Sequence, residues 1–174
     1  MNVEELFEAV KASLDERKME FLSDADKGTF HFVINGDSGQ WQTRLVCETD
    51  PLCLQVYCRL PLKVAAAQKA EMALALHQVN LGIRFGSYYF NPESGTVGLH
   101  VPGVISEGGE IQQQIGAWVG TAVSTFDENL RALTLVAAAT RKSRQQLHKL
   151  VPKSGGPVEG SGVRLPKSRR PGLN

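Results

Sequence analysis

The chain has 174 residues, of which 42% are hydrophobic and 21% are charged. These fractions are typical of a globular protein and exclude disordered, fibrous and membrane-embedded chains. The length suits a single domain that buries a core without disulfides or a metal. The first ten residues are acidic and amphipathic, so we expect no secretory signal and a cytoplasmic location.

The net charge of +1 is the sum of opposite net charges on two parts of the chain. Residues 1–140 hold 10 Lys and Arg against 17 Asp and Glu, a net charge of −7, whereas residues 141–174 hold 9 against 1, a net charge of +8. We therefore predict a folded domain over residues 1–140. A basic, largely disordered tail is predicted over residues 141–174, with the last helix reaching about residue 150 at most.

The N-terminal segment is predicted to be an amphipathic helix. Asn2 and Glu5 have the spacing of a capping box, and apolar residues then recur at helical spacing over residues 3 to about 17. From Thr29 the apolar residues recur with a period of two, which is typical of a strand.

Residues 36–39, Gly-Asp-Ser-Gly, also occur around the nucleophile of chymotrypsin-like serine proteases. Here they lie in a cluster of turn-forming residues between two strand patterns, which predicts a hairpin loop. A protease of that kind needs a histidine and an aspartate well upstream of its serine. Only 37 residues precede Ser38, and His31 is the one histidine among them. We therefore interpret Ser38 as a turn residue.

Two further strands follow, and their apolar faces can be paired. These faces comprise Trp41, Thr43, Leu45 and Cys47 on one strand and Leu54, Val56, Cys58 and Leu60 on the next. Pairing them places Cys47 opposite Leu54. No two of the three cysteines then face each other, so we expect reduced thiols. Cys53 and Cys58 point to opposite faces of one strand, which disfavours a metal site.

Residues 63–81 are predicted to form the second helix, which ends at Gly82. Its apolar residues fall on two opposed stripes. One stripe comprises Met72, Leu76, Val79 and Ile83, and the other comprises Ala67, Ala70, Leu74 and Leu81. A helix that covers one face of a sheet needs only one stripe. We therefore expect the second stripe to pack on another helix or on a partner chain, and a homodimer is the prediction we favour.

Residues 85–90 and 96–101 are predicted strands, joined by a hairpin turn at residues 91–95. A long helix with one apolar face is predicted from about residue 109. The order is therefore α-β-β-β-α-β-β-α. We predict an α+β domain in which helices cover a five-stranded antiparallel sheet.

Two consecutive segments of the chain resemble a known family. Residues 79–90, VNLGIRFGSYYF, and residues 91–97, NPESGTV, are similar to a helix–strand junction and an acidic hairpin turn of the YbjN family, described as sensory-transduction regulators. The resemblance extends from about residue 4 to residue 138. It implies the fold of type III secretion chaperones, a homodimer and a role in binding another polypeptide. It brings no catalytic motif.

Two functions therefore fit the sequence, and neither requires a catalytic residue, a cofactor or a metal. The first is a non-enzymatic protein-binding module, a dimeric chaperone-like or regulatory protein with its interface on the stripe of Ala67, Ala70, Leu74 and Leu81. The alternative is a nucleic-acid-associated regulator that is tethered by the basic tail. The tail residues expected to contact phosphates are Arg141, Lys142, Arg144, Lys167, Arg169 and Arg170. A hydrolase that uses Ser38 is a third hypothesis, and labelling of Ser38 by a fluorophosphonate probe would test it.

Overall fold

The computed structural model of the protein describes residues 1–106 and 109–139. The predicted tail, with the six basic residues expected to contact anions, lies outside the described residues. Within these two ranges no helix has the length and apolar character needed to cross a membrane.

The described residues form three α-helices, a 3₁₀ turn at Ala66–Gln68 and six strands. The helices are α1 (Val3–Glu16), α2 (Lys69–Asn80) and α3 (Ile111–Ala138). The strands are β1 (Phe21–Asp24), β2 (Thr29–Asn35), β3 (Gln40–Glu48), β4 (Cys53–Arg59), β5 (Ser87–Asn91) and β6 (Thr96–Val104). The predicted α+β class is confirmed.

All six strands form one antiparallel sheet in the order β1-β2-β3-β4-β6-β5. The sheet has one strand more than predicted, because β1 has only four residues and its alternation is too short to recognise. The turn composition of residues 24–28, Asp-Ala-Asp-Lys-Gly, is the signal that could have revealed it. The turn ends at Gly28, whose φ of 61° lies in the left-handed region.

The first helix begins at the predicted capping box. Asn2 Oδ1 accepts a hydrogen bond from the Glu5 backbone N–H (2.8 Å), and the Glu5 carboxylate accepts one from the Asn2 N–H (2.9 Å). The buried side of α1 packs on the sheet, where the rings of Phe7 and Phe30 stack with centroids 4.4 Å apart. The cap therefore fixes the start of a helix that covers the β2 side of the core.

The last helix, α3, packs on the centre of the sheet against β4 and β6. Its buried residues recur at helical spacing and are Ile115, Ala122, Phe126, Leu130, Leu133, Val136 and Ala137. The ring of Phe126 lies 5.2 Å from that of Trp41 on β3 and 5.9 Å from that of Tyr88 on β5. Burial of each large side chain stabilises the fold by roughly 1.5–3 kcal/mol. The apolar face predicted for this helix is thus the centre of the core.

Strands β3 and β4 pair in the predicted register, with Cys47 opposite Leu54. The turn between them contains a cis peptide bond before Pro51. All three cysteines are free and buried, in agreement with the expected reduced thiols.

The second helix is shorter than predicted. The chain is not helical at residues 63–65, and the α-helix begins only at Lys69, after the 3₁₀ turn. The reason lies at Val64, which is buried and donates its backbone N–H to the Gly95 carbonyl oxygen (2.8 Å). The burial of Val64 and this hydrogen bond hold residues 63–65 against the β5–β6 hairpin, and the helix starts after them.

Candidate functional site

The second apolar stripe of α2 lies on the surface. Its four residues, Ala67, Ala70, Leu74 and Leu81, are all exposed, and we call them the α2 surface. Leu74 is 59% exposed and Leu81 is 71% exposed, whereas Met72 and Leu76 of the other stripe are buried. Ala67 belongs to the 3₁₀ turn rather than to α2. These exposures show that the α2 surface does not pack against α3 within the chain.

The junction between α2 and β5 positions the end of the α2 surface. The Asn80 side chain accepts a hydrogen bond from the Tyr88 backbone N–H (2.8 Å) and donates one to the Tyr88 carbonyl oxygen (3.0 Å). Gly86 has a φ of 81°, and a Cβ at this position would lie 2.4 Å from the His100 carbonyl oxygen. The junction therefore requires an amide at position 80 and a glycine at position 86.

A shallow groove of about 390 Å³ lies between the end of α2 and α3. Its lining includes Val79, Ile83 and Phe85 on one side and Thr121, Thr125, Glu128 and Asn129 of α3 on the other. Phe85 is 57% exposed, and its ring lies edge-on to that of Trp118 with centroids 6.1 Å apart. The groove and the α2 surface together expose three large apolar side chains, those of Leu74, Leu81 and Phe85.

The loop that contains Ser38 is bound to α3. Both oxygens of the Asp127 carboxylate accept hydrogen bonds, one from the Asp37 backbone N–H (3.0 Å) and one from the Ser38 backbone N–H (2.8 Å). A Cβ at Gly36 would lie 2.5 Å from the Trp41 ring, so the loop also needs a glycine there. The predicted hairpin loop is confirmed, and its backbone anchors β2 and β3 to α3.

The three cysteine thiols are poorly suited to act as nucleophiles or metal ligands. Burial raises the pKa of Cys47 to about 12 and that of Cys58 to about 11. The pKa of Cys53 is raised as well, by burial and by the negative charge of the nearby Glu48. Such thiols stay protonated at neutral pH, and the protonated form is a weak nucleophile and metal ligand. In the part of the chain that the structure describes, no three His, Cys, Asp or Glu side chains come together as a metal site would require.

The face of the sheet opposite the helices, which we call the open face, carries polar and aromatic side chains. One row of directly opposed residues crosses all six strands and comprises Leu22, His31, Arg44, Tyr57, His100 and Ser87. The strand register alone brings these residues together, because they are widely separated along the chain.

Three members of this row stack on one another. The Arg44 guanidinium lies 4.7 Å from the centroid of the Tyr57 ring, a distance typical of a cation–π contact. The Tyr57 ring also stacks on the ring of His100, since the two rings are nearly parallel and their centroids lie 4.6 Å apart. His100 Nε2 is also hydrogen-bonded to Gln55 Oε1. Burial lowers the pKa of His100, whereas Glu48 acts in the opposite direction.

A second row, next to the first, holds Gln42, Arg59, Gly98 and Tyr89. The Tyr89 ring covers Gly98, where a Cβ would come within 2.5 Å of the Tyr89 hydroxyl oxygen. Burial raises the pKa of Tyr89, and the nearby Arg44 and Arg59 guanidiniums oppose this effect. The phenol is therefore protonated at neutral pH and lies close to both cations.

The two rows border a groove of about 370 Å³, which we call the Arg44–Arg59 groove. Its lining includes His31, Gln42, Tyr57, Tyr89 and Asn91 in addition to the two arginines. Among the described residues, the ion pairs are Met1 with Glu5 and Lys27 with Asp24, so neither Arg44 nor Arg59 has a carboxylate partner.

Sequence reasoning missed this groove. The available signal was the outward-facing set on β3 and β4, where Arg44, Tyr57 and Arg59 occupy positions that are polar in an ordinary one-sided sheet. Without the register, nothing in the sequence indicates that Tyr89 lies beside them.

The fold defines the class of protein: an α+β domain with one sheet face covered by helices and the other open. Residues 7–135 match the model of the YbjN family, described as "Putative bacterial sensory transduction regulator". The match covers most of the chain, and the protein belongs to the YbjN family. The comparison with curated proteins gave no match. Family membership confirms the resemblance of residues 79–97 and assigns the chain to a regulatory family.

Proposed function

We propose that the protein is a non-enzymatic regulator that acts by binding other polypeptides and forms a homodimer through the α2 surface. The observation that carries the proposal is the exposure of Leu74 and Leu81, which lie on the side of α2 opposite its buried residues. Removing one leucine side chain from water stabilises an interface by roughly 1.5–3 kcal/mol. A two-fold axis would supply the same apolar stripe from a second copy.

The resemblance to type III secretion chaperones supports a polypeptide as the partner. Chaperones of that fold hold extended client segments along their surface. Here the apolar side of the groove between α2 and α3 offers Val79, Ile83 and Phe85 to an apolar side chain of such a segment. The polar residues of α3 on the opposite side of this groove can hydrogen-bond to its backbone.

Affinity capture from a cell lysate tests polypeptide binding. The wild-type chain is compared with Phe85→Ser, which changes a groove residue that is 57% exposed, and with Leu135→Ser, which changes a leucine of α3 that is 49% exposed. We expect one defined polypeptide to be captured by the wild type and by Leu135→Ser, and to be lost with Phe85→Ser. Equal capture by all three proteins would contradict a role for the groove between α2 and α3 in polypeptide binding.

The alternative, a nucleic-acid-associated regulator, is supported by the net charge of +8 in residues 141–174. Nine basic residues next to a net-negative body would act as an electrostatic tether. Deleting residues 141–174 should then abolish binding to duplex DNA or RNA. Binding of the full chain should weaken steeply as the salt concentration rises. Binding that does not depend on salt would rule out this alternative.

A further inference from the structure

We propose that the Arg44–Arg59 groove is a binding site for a small phosphorylated molecule, whose phosphate is held by Arg44, Arg59 and the Tyr89 hydroxyl. This site lies on the open face of the sheet, apart from the α2 surface, so it goes beyond the proposed dimer and its polypeptide partner.

The strand register brings the donors together. Arg44 lies opposite Tyr57, and Arg59 follows Tyr57 by two residues on the same strand, so the arginines are diagonal neighbours on one face. Diagonal neighbours in an antiparallel pair are roughly 7–8 Å apart at the backbone, a span that long side chains close easily. Tyr89 reaches the same place from β5 by lying over Gly98. Three strands thus contribute one donor group each.

Both guanidiniums are available to a ligand. Neither has a carboxylate partner among the described residues. The Arg44 guanidinium also lies over the Tyr57 ring, 4.7 Å from its centroid, which helps to hold it at this place in the groove. A cation–π contact leaves N–H groups of the guanidinium able to donate to an anion.

The charge and number of the donors favour a phosphate over a carboxylate. A phosphate monoester carries a charge of about −1.5 to −2 at neutral pH and has three terminal acceptor oxygens. Two guanidiniums and one phenol match both its charge and its three oxygens. A carboxylate has one charge and two coplanar oxygens, which a single guanidinium already satisfies.

Charge elsewhere on the chain favours a small ligand. Residues 1–140 carry a net charge of −7, which repels a polynucleotide that would extend beyond the groove. Residues 141–174 of the same chain carry a net charge of +8, so the two arginines would repel them as an occupant of the groove. A groove of about 370 Å³ suits a molecule of the size of a sugar phosphate.

Titration of the full-length, isotopically labelled protein by NMR tests the proposal. The probes are ribose 5-phosphate, inorganic phosphate, succinate and a short single-stranded oligonucleotide, all at one ionic strength. The proteins are the wild type, Arg44→Gln, Arg59→Gln and a matched control, Arg131→Gln, which changes an exposed arginine of α3 on the other side of the sheet. All variants keep the basic tail, so any binding there is common to them.

We expect ribose 5-phosphate to shift the amide signals of residues 44, 59 and 89 saturably, more tightly than succinate. Loss of one charge-assisted hydrogen bond should weaken this binding by about tenfold or more in Arg44→Gln and in Arg59→Gln. Arg131→Gln should bind as the wild type does. Binding of inorganic phosphate alone would identify the phosphate group as sufficient, in support of the site. No saturable shift at these residues, equal binding of succinate, preference for the oligonucleotide, or unchanged affinity in both groove variants would overturn the proposal.

Discussion

The β2–β3 loop is held against α3 by the carboxylate of Asp127. This carboxylate accepts hydrogen bonds from the backbone N–H groups of Asp37 and Ser38. Both residues belong to the Gly-Asp-Ser-Gly segment of residues 36–39. A carboxylate that accepts two N–H groups from a distant loop cannot be predicted from sequence, because its partners are 90 and 89 residues away along the chain.

We predict that Asp127→Ala destabilises the protein by about 1–2 kcal/mol, since two backbone donors lose their acceptor and one of them is partly buried. Urea unfolding followed by circular dichroism measures this change. The matched control is Glu128→Ala, which alters the exposed neighbour on the same helix and should stay within about 0.5 kcal/mol of the wild type. Equal effects of the two substitutions would show that the loop does not depend on Asp127.

At the scale of elements, a glycine is required in the junction between α2 and β5 but not in α3. Gly86 has a positive φ and faces the His100 carbonyl oxygen, whereas Gly120 lies in α3 with open space where a Cβ would be. A glycine in open space within a helix only lowers the stability of that helix.

We therefore expect Gly86→Ala to lower the free energy of unfolding by more than about 1 kcal/mol. Gly120→Ala should raise it by about 0.5–1 kcal/mol because alanine is the better helix former. Thermal unfolding of the two variants beside the wild type makes the comparison. A stabilising Gly86→Ala would contradict the described junction between α2 and β5.

The elements also show which features a sequence reveals. The capping box of α1, the register of β3 with β4 and the apolar face of α3 were predicted because each is written in a local pattern. The strand β1 was too short for its period to appear. The late start of α2 goes with the burial of Val64 and its hydrogen bond to a hairpin thirty-one residues later along the chain. Arg44, Arg59 and Tyr89 of the Arg44–Arg59 groove come from three different strands, so only the complete sheet order could place them together.

At the scale of the whole molecule, the buried thiols make the folded state less stable as the pH becomes alkaline. The folded-state pKa is about 12 for Cys47 and about 11 for Cys58, above the ordinary value of 9.0. An unfolded chain releases these protons from about pH 9, so this contribution to stability is complete below pH 9. It is lost as the pH rises towards 11 for Cys58 and 12 for Cys47. Burial raises the pKa of Tyr88 as well, which acts in the same direction.

We predict that the free energy of unfolding falls between pH 8 and pH 10, with Cys47 and Cys58 each contributing about 1 kcal/mol to the fall. Urea unfolding in the presence of a reductant measures the free energy at both values. In Cys47→Ala the protein is less stable throughout because a buried side chain is truncated, but the fall with pH should be smaller by that amount. An identical pH dependence in the variant would show that Cys47 does not titrate as described.

In the proposed function, the α2 surface determines whether the molecule is a monomer or a homodimer. In the folded chain Leu74 and Leu81 remain exposed, and a second copy is the occupant that the proposed function assigns to them. The most direct measurement is light scattering of the full chain at micromolar concentration, with the double variant Leu74→Ser, Leu81→Ser and the control Leu135→Ser alongside. We predict twice the mass of the chain for the wild type and the control, and the single-chain mass for the double variant with its circular dichroism spectrum unchanged. A wild type that has the mass of one chain would contradict the homodimer.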